Sequence, residues 1–512
     1  MSYYLISDFR RGVDTRRIAE SADTGTLRWL SGGFVNSGGE IEKLRGFIMD
    51  DQLTAALKDA SGRGGWCGPV RTSDGRFLFA GPASQPQDFP SSVAGVPLWW
   101  SELNGAAQAL SGLSDADVFG ANVYLSARFN MLAEGAYSEH FFGQPGEILN
   151  RVEKDAAPLQ DEHVLTLASK VFRGQGSTLG FSAVADPSDT AGTGSGELDV
   201  TTSEGAVGPI QGLGVYLGQL AVFGQNGVQI WDVDPDPDAT QFVQSIGGIN
   251  VVSGRTILTY DNGDVLYLTP NGIRSLRARD QTAFARGDDI GSPVDEMVRA
   301  VLQTGTPRGL IGPNGVMSET QTIPRPRPGE MVSLTEPTTG QLWVVVGGSI
   351  FVFSRFASSG VQAWSLGELP TSALGGGAGY VRGAATASNR LLICTSEGEA
   401  YVYGGEDGES YDTQPCVVET PFMAMGSPAT FKSFSGIDVL GRGRWEVEAA
   451  FDPAQPDLYE HIGTVEGTTT TLQSIPMTGR STHIALRFST TDNRVIPKLG
   501  QAAIHFREGR AS

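Results

Sequence analysis

One phrase recurs along this chain: a short apolar run, a tight bend and a second apolar run. It reads GQLAVFGQNGVQIW from Gly218 and GDVLYLTPNGIRSL from Gly263, with the Asn-Gly pair in the same slot 45 residues on. NRLLICTSEGEAYVY from Asn389 carries Glu397-Gly398 in that slot. GQLWVVVGGSIFVF from Gly340, one residue shorter, bends at Gly347-Gly348. Apolar runs around Asn-Gly or Gly-Gly are the strongest short-range signal for a β-hairpin, because these residues accept positive φ. A lone hairpin cannot bury both faces of its sheet, so recurrence at this spacing predicts propeller blades.

Further segments fit the same template. DGRFLFAG (Asp74–Gly81) and FGANVYLSARF (Phe119–Phe129) place their first glycines 45 residues apart, and HVLTLASKVF (His163–Phe172) with LGFSAV (Leu179–Val184) fills the gap before Gly218. The expectation is a mainly β chain with a β-propeller of six to eight blades over residues 51–405, roughly seven hairpin units. The interval from Gly263 to Gly340 is too long for one blade, and 280–336 within it is read as a helix-containing insertion. Ser292 is the expected N-cap of its helix, Pro293 takes the first turn, Asp295 is the capping partner, and Val294, Met297, Val298, Val301 and Leu302 make one apolar face. TGTPRGLIGPNG and IPRPRPGE after it read as loop or extended segments.

From about Gly405 the texture changes. A polar linker, GGEDGESYDTQP, precedes CVVETPFMA, TFKSFSGIDVLG, RWEVEAAFD, TTTTLQSIPM, THIALRFST and AAIHFRE. Period-two alternation in these runs predicts a C-terminal antiparallel β-sandwich over 406–512. Residues 1–50 are read as an N-terminal arm carrying a basic cluster, Arg10, Arg11, Arg16 and Arg17. Such an arm either docks on an acidic partner or packs along its own propeller.

The 57 acidic against 37 basic residues leave a net charge of −20, which disfavours a surface that grips nucleic acid. It suits simple solubility, or a wall past which DNA slides without sticking. No apolar run is long enough to cross a bilayer, and the N-terminus lacks the pattern of a secretory signal. Cys67, Cys394 and Cys416 lie far apart and read as buried small hydrophobes of a protein folded in a reducing cytosol.

Enzymatic signatures are missing: no GxSxG elbow, HExxH helix, P-loop or CxxC pair occurs. The five histidines (His140, His163, His461, His483, His505) are scattered, no metal site is expected of them, and the last three, in the C-terminal β region, read as structural. Asp232, Asp234, Asp236 and Asp238 alternate, but Pro237 and Val243 occupy the positions where a calcium loop needs Gly and Glu. They read as a proline-stiffened surface loop. Thr259-x-Asp261-x-Gly263 resembles the start of the Asp-box turn of sialidase propellers, with Leu266 where an aromatic belongs. GTGSGE (Gly192–Glu197) has no lysine and reads as a surface loop. The chain is therefore expected to be no enzyme and to use no cofactor or metal.

Six phrases carry a resemblance: DFRRGVDTRR (Asp8–Arg17), GGEIEKLRG (Gly38–Gly46), GFSAVADPSD (Gly180–Asp189), IWDVDPDPD (Ile230–Asp238), NGIRSLRARD (Asn271–Asp280) and GSPVDE (Gly291–Glu296). In this order they resemble tail nozzle proteins of short-tailed bacteriophages, of the tail tubular protein B type. The resemblance runs through the first 300 residues or so and more loosely to the end. It implies a virion protein assembled in the host cytoplasm, a homo-oligomeric ring of six below the portal and adaptor. The genome DNA would pass through its lumen without sequence-specific binding, and its rim would help hold tail fibre protein; no membrane is involved. Six copies carry a surplus of about 120 negative charges, which would repel phosphates wherever it faces the lumen. Cyclic symmetry needs a heterologous contact. Its candidate residues are Arg10, Arg11, Arg16 and Arg17 of the arm with Arg274, Arg277, Arg279 and Asp295 around the insertion. The chain is shorter than the long nozzle proteins, which fits a reduced nozzle or a related ring of another tail type. The alternatives are a propeller that binds or hydrolyses host surface glycans, and a cellular scaffold propeller.

Overall fold

The structure is a computed structural model that describes residues 2–17, 25–106, 109–131, 135–200, 207–261, 263–281, 289–308, 325–369, 381–426, 428–469 and 475–509. The chain is mainly β, with 52% in strands and 9% in helices.

The recurrent phrases are hairpins inside small antiparallel sheets. Gln219–Gly224 and Gly227–Asp232 sit between Ile210–Tyr216 and Gln241–Gly247 in a four-stranded sheet. Asp264–Thr269 and Gly272–Ser275 extend Leu258–Tyr260, and Leu342–Val346 with Ser349–Phe356 lies between Met331–Thr335 and Val361–Glu368. His163–Leu167, Lys170–Gln175, Thr178–Phe181 and Gly196–Asp199 make another four-stranded sheet. Val381–Ala387, Arg390–Thr395 and Ala400–Tyr403 take Phe47–Met49 as their outer strand. Leu110–Phe119, Asn122–Met131, Gly135–Gly143 and Leu149–Lys154 continue through Val96–Asn104 and Phe77–Gly81 to Cys67–Arg71. The end strands of this sheet pack on each other, so it nearly closes.

The first strands of these sheets touch in chain order. Cys67–Arg71 packs on Leu110–Phe119, that strand on His163–Leu167, and that one on Ile210–Tyr216. Contact passes through the turn Gly254–Thr256 to Met331–Thr335, then to Val381–Ala387, and returns to Cys67–Arg71. Between neighbouring sheets the facing side chains form separate apolar layers. Phe172 and Leu179 meet Leu213, Leu220 and Trp231 in one layer. In another, Trp343 lies edge-on to Tyr403 at 4.8 Å, with Phe47 against both. Burial of this kind explains why the apolar runs are nearly continuous: both faces of each sheet are covered.

Glycine acts less uniformly than its spacing implies. Gly347 and Gly398 have φ of 62° and 79°, as expected. Neither Asn226 nor Gly227 has positive φ; Gly227 is required because a Cβ there would stand 2.7 Å from the Ile246 carbonyl oxygen.

The described part of residues 1–50 is distributed over three sheets rather than extended as an arm. Ser2–Ile6, Gly33–Val35 and Ile41–Lys43 belong to a sheet with Lys432–Arg442, Ile475–Ser481 and Lys498–Glu508. Trp29–Ser31 bridges Val361–Glu368 to Cys416–Glu419, Ala485–Thr490, Arg444–Ala450 and Glu460–Glu466. These two sheets share one core, in which Phe434, Ile437, Ile504 and Phe506 meet Trp445, Val447, Leu486 and Phe488. Of the expected C-terminal strands, TTTTLQSIPM contributes only its end, to Ile475–Ser481, and residues 470–474 lie outside the described ones. Glu460–Glu466 is an additional strand.

Helix α1 spans Asp51–Gly62, its first amide turn capped by the Asp50 side chain, which accepts from Leu53 N at 2.7 Å. Helix α2 is Leu276–Gln281 and α3 is Asp295–Thr304. The expected capping at Ser292 needs correcting. Ser292–Val294 is a 3-10 turn, α3 starts only after it, and no side chain caps its N-terminus at Val294. Pro293 fits that tighter turn, and Asp295 is drawn off to Arg274. The apolar face is as read: Val294, Met297, Val298 and Val301 are buried, with Leu302 against the same core. The remainder of 280–336 that lies at 282–288 and 309–324 is outside the described residues.

Candidate functional site

Where the first strands converge they enclose an open cavity of about 810 Å³. Ser111 to Ser114, Arg128, Glu162, His163, Gln211, Ser253 to Arg255, Arg327 to Glu330, Arg382 and Glu397 line it. The strand His163–Leu167 would expose unpaired amides along its free edge here. Two carboxylates from the neighbouring sheet take them up. Asp115 accepts from Val164 N at 3.0 Å and Ala116 N at 2.9 Å; Asp117 accepts from Thr166 N at 2.6 Å and Val118 N at 2.8 Å. Burial pushes the Asp115 carboxyl up to about 7 against the pull of these bonds, and pushes Asp117 up as well.

Two arginines span the cavity wall. Arg255 donates through Nη1 to the carbonyls of Gly329 and Arg382, both at 3.1 Å. Burial lowers its pKa, opposed by the charge of Asp115. Arg382 stacks on the Trp66 ring at 4.2 Å and donates through Nη2 to the carbonyls of Trp66 and Leu110. Burial brings it down to about 10. His163 is held down to about 4 by burial, so its ring is neutral at physiological pH. Behind this wall His140 is fully buried between Tyr124 OH (3.1 Å) and the Asp161 carbonyl (2.7 Å), and burial lowers it to about 3. Burial thus keeps both His140 and His163 neutral.

A second convergence lies around α3. Thr15 donates from N and Oγ1 to the Pro293 carbonyl, both at 2.8 Å, and Val13 N donates to the Trp364 carbonyl at 2.9 Å. The Trp364 indole N–H donates to the Ile290 carbonyl at 2.6 Å. Arg274 grips Asp295 with both terminal nitrogens, at 2.6 and 2.8 Å, and lies 3.7 Å from Asp289. Gly272 admits this pair, since a Cβ there would sit 1.9 Å from Asp295 Oδ1.

The sequence-derived interface candidates thus divide. Arg274 and Asp295 are brought together, engaged with each other. Arg277 N donates to Asp264 Oδ1 at 3.0 Å, and Arg279 donates to the Gly248 carbonyl at 3.1 Å. Arg10 and Arg16 are exposed and fold back on Asp8 and Asp14 respectively; Arg11 and Arg17 are also exposed. Arg17 borders a charged cleft of about 460 Å³ with Arg28, Arg308, Glu419 and Asp457. The aspartates of WDVDPDPD cap their own backbone: Asp234 accepts from Asp236 N, and Asp236 from Asp238 N. Among the described residues no group of three or more His, Cys, Asp or Glu side chains is placed to hold a metal ion. All three cysteines are free and buried. No helix among the described residues is long and apolar enough to cross a membrane.

Arg128, Arg255, Gly329 and Arg382 were not singled out by sequence. The available signal was an arginine in an otherwise apolar or small-residue strand, LSARF and YVRGAA.

No protein-family profile matches the chain, and no curated protein matches it. Solved structures show only distant likeness. A catalytically inactive virginiamycin B lyase from Staphylococcus aureus, with quinupristin, is 10% identical with a TM-score of 0.35, covering 59% of this chain and 82% of that one. An exo-β-1,3-galactanase from Phanerochaete chrysosporium, with galactose, is 10% identical with a TM-score of 0.29 over 81% of this chain and 100% of that one. The Pan2 WD40 domain of Neurospora crassa is 9% identical with a TM-score of 0.29 over 58% and 89%. Likeness at this level carries no argument about function.

Proposed function

We propose that this chain is a structural, ring-forming subunit of a bacteriophage tail, a nozzle-type protein around the DNA exit channel. The observation that carries the reading is the junction at α3. Three of the six nozzle-like phrases, DFRRGVDTRR, NGIRSLRARD and GSPVDE, come from positions more than 250 residues apart at their extremes, and they lock together there. Phrases recurring because they build one joint are what a shared architecture produces, whereas catalytic phrases converge on a cleft. We also read the fold as a seven-bladed propeller, closed by Phe47–Met49 in its last blade, with the two C-terminal sheets as a sandwich fused to the sixth blade through Trp29–Ser31.

In this reading the propeller and sandwich are rigid blocks, and the subunits meet head to tail in a ring, six to the turn, below the portal and adaptor. The acidic surface keeps the genome from adhering as it passes, and the rim helps carry the tail fibres. The exposed Arg10, Arg11, Arg16 and Arg17 are the candidates for the subunit or adaptor contact; Arg274 and Asp295 support them from behind. Reading the chain as a glycan hydrolase draws no help from the cavity, whose described lining includes no Phe, Tyr or Trp on which a sugar would stack.

Mass photometry and electron microscopy of the full chain, alone and with its adaptor, test the proposal. Closed rings of one defined size are the expected result. Monomers at all concentrations, in solution and in the particle, would overturn it.

A further inference from the structure

We propose that the axial cavity is a binding site for a small organic oxyanion, a carboxylate or phosphate ester held between Arg128 and Arg255 over Gly329. This goes beyond the ring reading and stands independently of assembly. At about 810 Å³ the cavity has the size of a small-molecule site. Among the described residues, the Arg128 guanidinium makes no hydrogen bond or ion pair, although it is half-buried. Its nitrogens remain open to the cavity, where an anionic acceptor can replace water on them.

The two guanidinia converge on one spot. Arg255 donates to the Gly329 carbonyl, and the one atom that a Cβ on Gly329 would approach within 4 Å is Arg128 Nη1, at 3.8 Å. The absent side chain leaves a gap facing Arg128, with Arg255 on the carbonyl side of the same residue. Beside it, the His163 ring and the Gln211 backbone and amide offer uncharged polar groups. Carboxylates also line the cavity. Glu330 accepts from Arg327 N at 2.7 Å and is paired with that arginine, while Glu162 and Glu397 sit exposed at the rim. Asp115 lies in the wall beside Arg255, whereas Arg128 has no acid partner, an arrangement that suits a ligand whose anionic end meets Arg128 and whose neutral polar body lies toward Arg255.

Isothermal titration of the full chain with inorganic phosphate and, separately, with glucuronate tests this. One-site binding of at least one probe is expected, with phosphate alone indicating a phosphate ester and glucuronate alone a carboxylate. Arg128→Gln should weaken it by about tenfold or more. Gly329→Leu, at a position without positive φ, should block the gap while leaving the thermal midpoint of the free protein unchanged. Arg444→Gln, on the distant C-terminal sheet, should leave binding intact. No binding of either probe below about 10 mM, or binding indifferent to both cavity substitutions, overturns the proposal. If Arg128→Gln fails to fold, Gly329→Leu decides alone.

Discussion

Replacing Asp295 by Asn separates a structural from an intermolecular role for the α3 junction. The Arg274–Asp295 pair has two short bonds, 2.6 and 2.8 Å, and the two side chains are only 17% and 21% exposed, so it is no ordinary surface pair. Breaking a fully buried pair costs about 3–5 kcal/mol because the remaining charge is stranded. Here Asp289, 3.7 Å away, still faces Arg274, and solvent reaches both groups in part. Discounting for these, about 2–3 kcal/mol should be lost. At about 1.4 kcal/mol per tenfold, local opening of α3 becomes roughly 30- to 150-fold more frequent. Hydrogen exchange of peptides covering Asp295–Thr304 in the unassembled protein reads this directly. Arg274→Met added to Asp295→Asn should deepen the loss rather than relieve it, because the buried Asp289 carboxyl then loses its cation. Acceleration below about threefold would refute the reasoning.

Two further outcomes follow from single positions. Gly12 has φ of 59°, and a Cβ there would lie 2.6 Å from the Trp364 carbonyl oxygen; Gly12→Ala should weaken docking of the N-terminal segment by roughly 2–4 kcal/mol, freeing the backbone at the already exposed Arg10 and Arg11 for faster cleavage by trypsin, and an unchanged cleavage rate would show that the turn adapts. Asp115, raised by burial to about 7, binds more protons folded than unfolded, so its contribution to stability is full below the ordinary carboxylate range and falls away as pH rises to about 7. His163, lowered by burial to about 4, has the opposite sign, losing stability as pH falls from the ordinary imidazole range through about 4. Thermal midpoints measured across this range should therefore decline less steeply with rising pH in Asp115→Asn, Asp117 still acting with the same sign, and an unaltered profile would count against a buried, protonating carboxyl.

The hairpins were legible because their information is local: an apolar run, a bend, another apolar run. What sequence concealed is where information is distant or faint. Trp29–Ser31 is a strand only because Trp29 pairs with Glu419 and Ser31 with Leu366, so its partners lie hundreds of residues away. Glu460–Glu466 is mostly solvent-facing, so it has no buried face to imprint an alternation. Several hairpin bends also lack the expected residues. Ala168-Ser169 and Ser388-Asn389 both adopt positive φ, in two-residue turns set by the pairings Leu167 with Lys170 and Ala387 with Arg390. There the ladder on either side holds residues in a conformation that they would not choose alone. Helix α1 was overlooked despite a local signal, Asp50 before Leu53, Ala56, Leu57 and Ala60.

The cavity was hidden for a different reason. Its wall takes one short stretch from each successive sheet, so Arg128, Arg255, Gly329 and Arg382 are mutually remote in sequence and follow no motif. Arg128, Arg255 and Arg382 each look like a lone charge beside apolar or small residues, in isolation most simply a solvated edge, and Gly329 like part of a proline-rich loop. Only closure of the contact circuit from Cys67–Arg71 back to Val381–Ala387 turns these edges inward. The same closure makes the buried carboxylates of Asp115 and Asp117 necessary, because packing first strands side by side leaves amides that no ladder can satisfy. The architecture therefore produces its polar interior as a consequence of ring closure, and a ligand site there needs only one cation left without an internal partner.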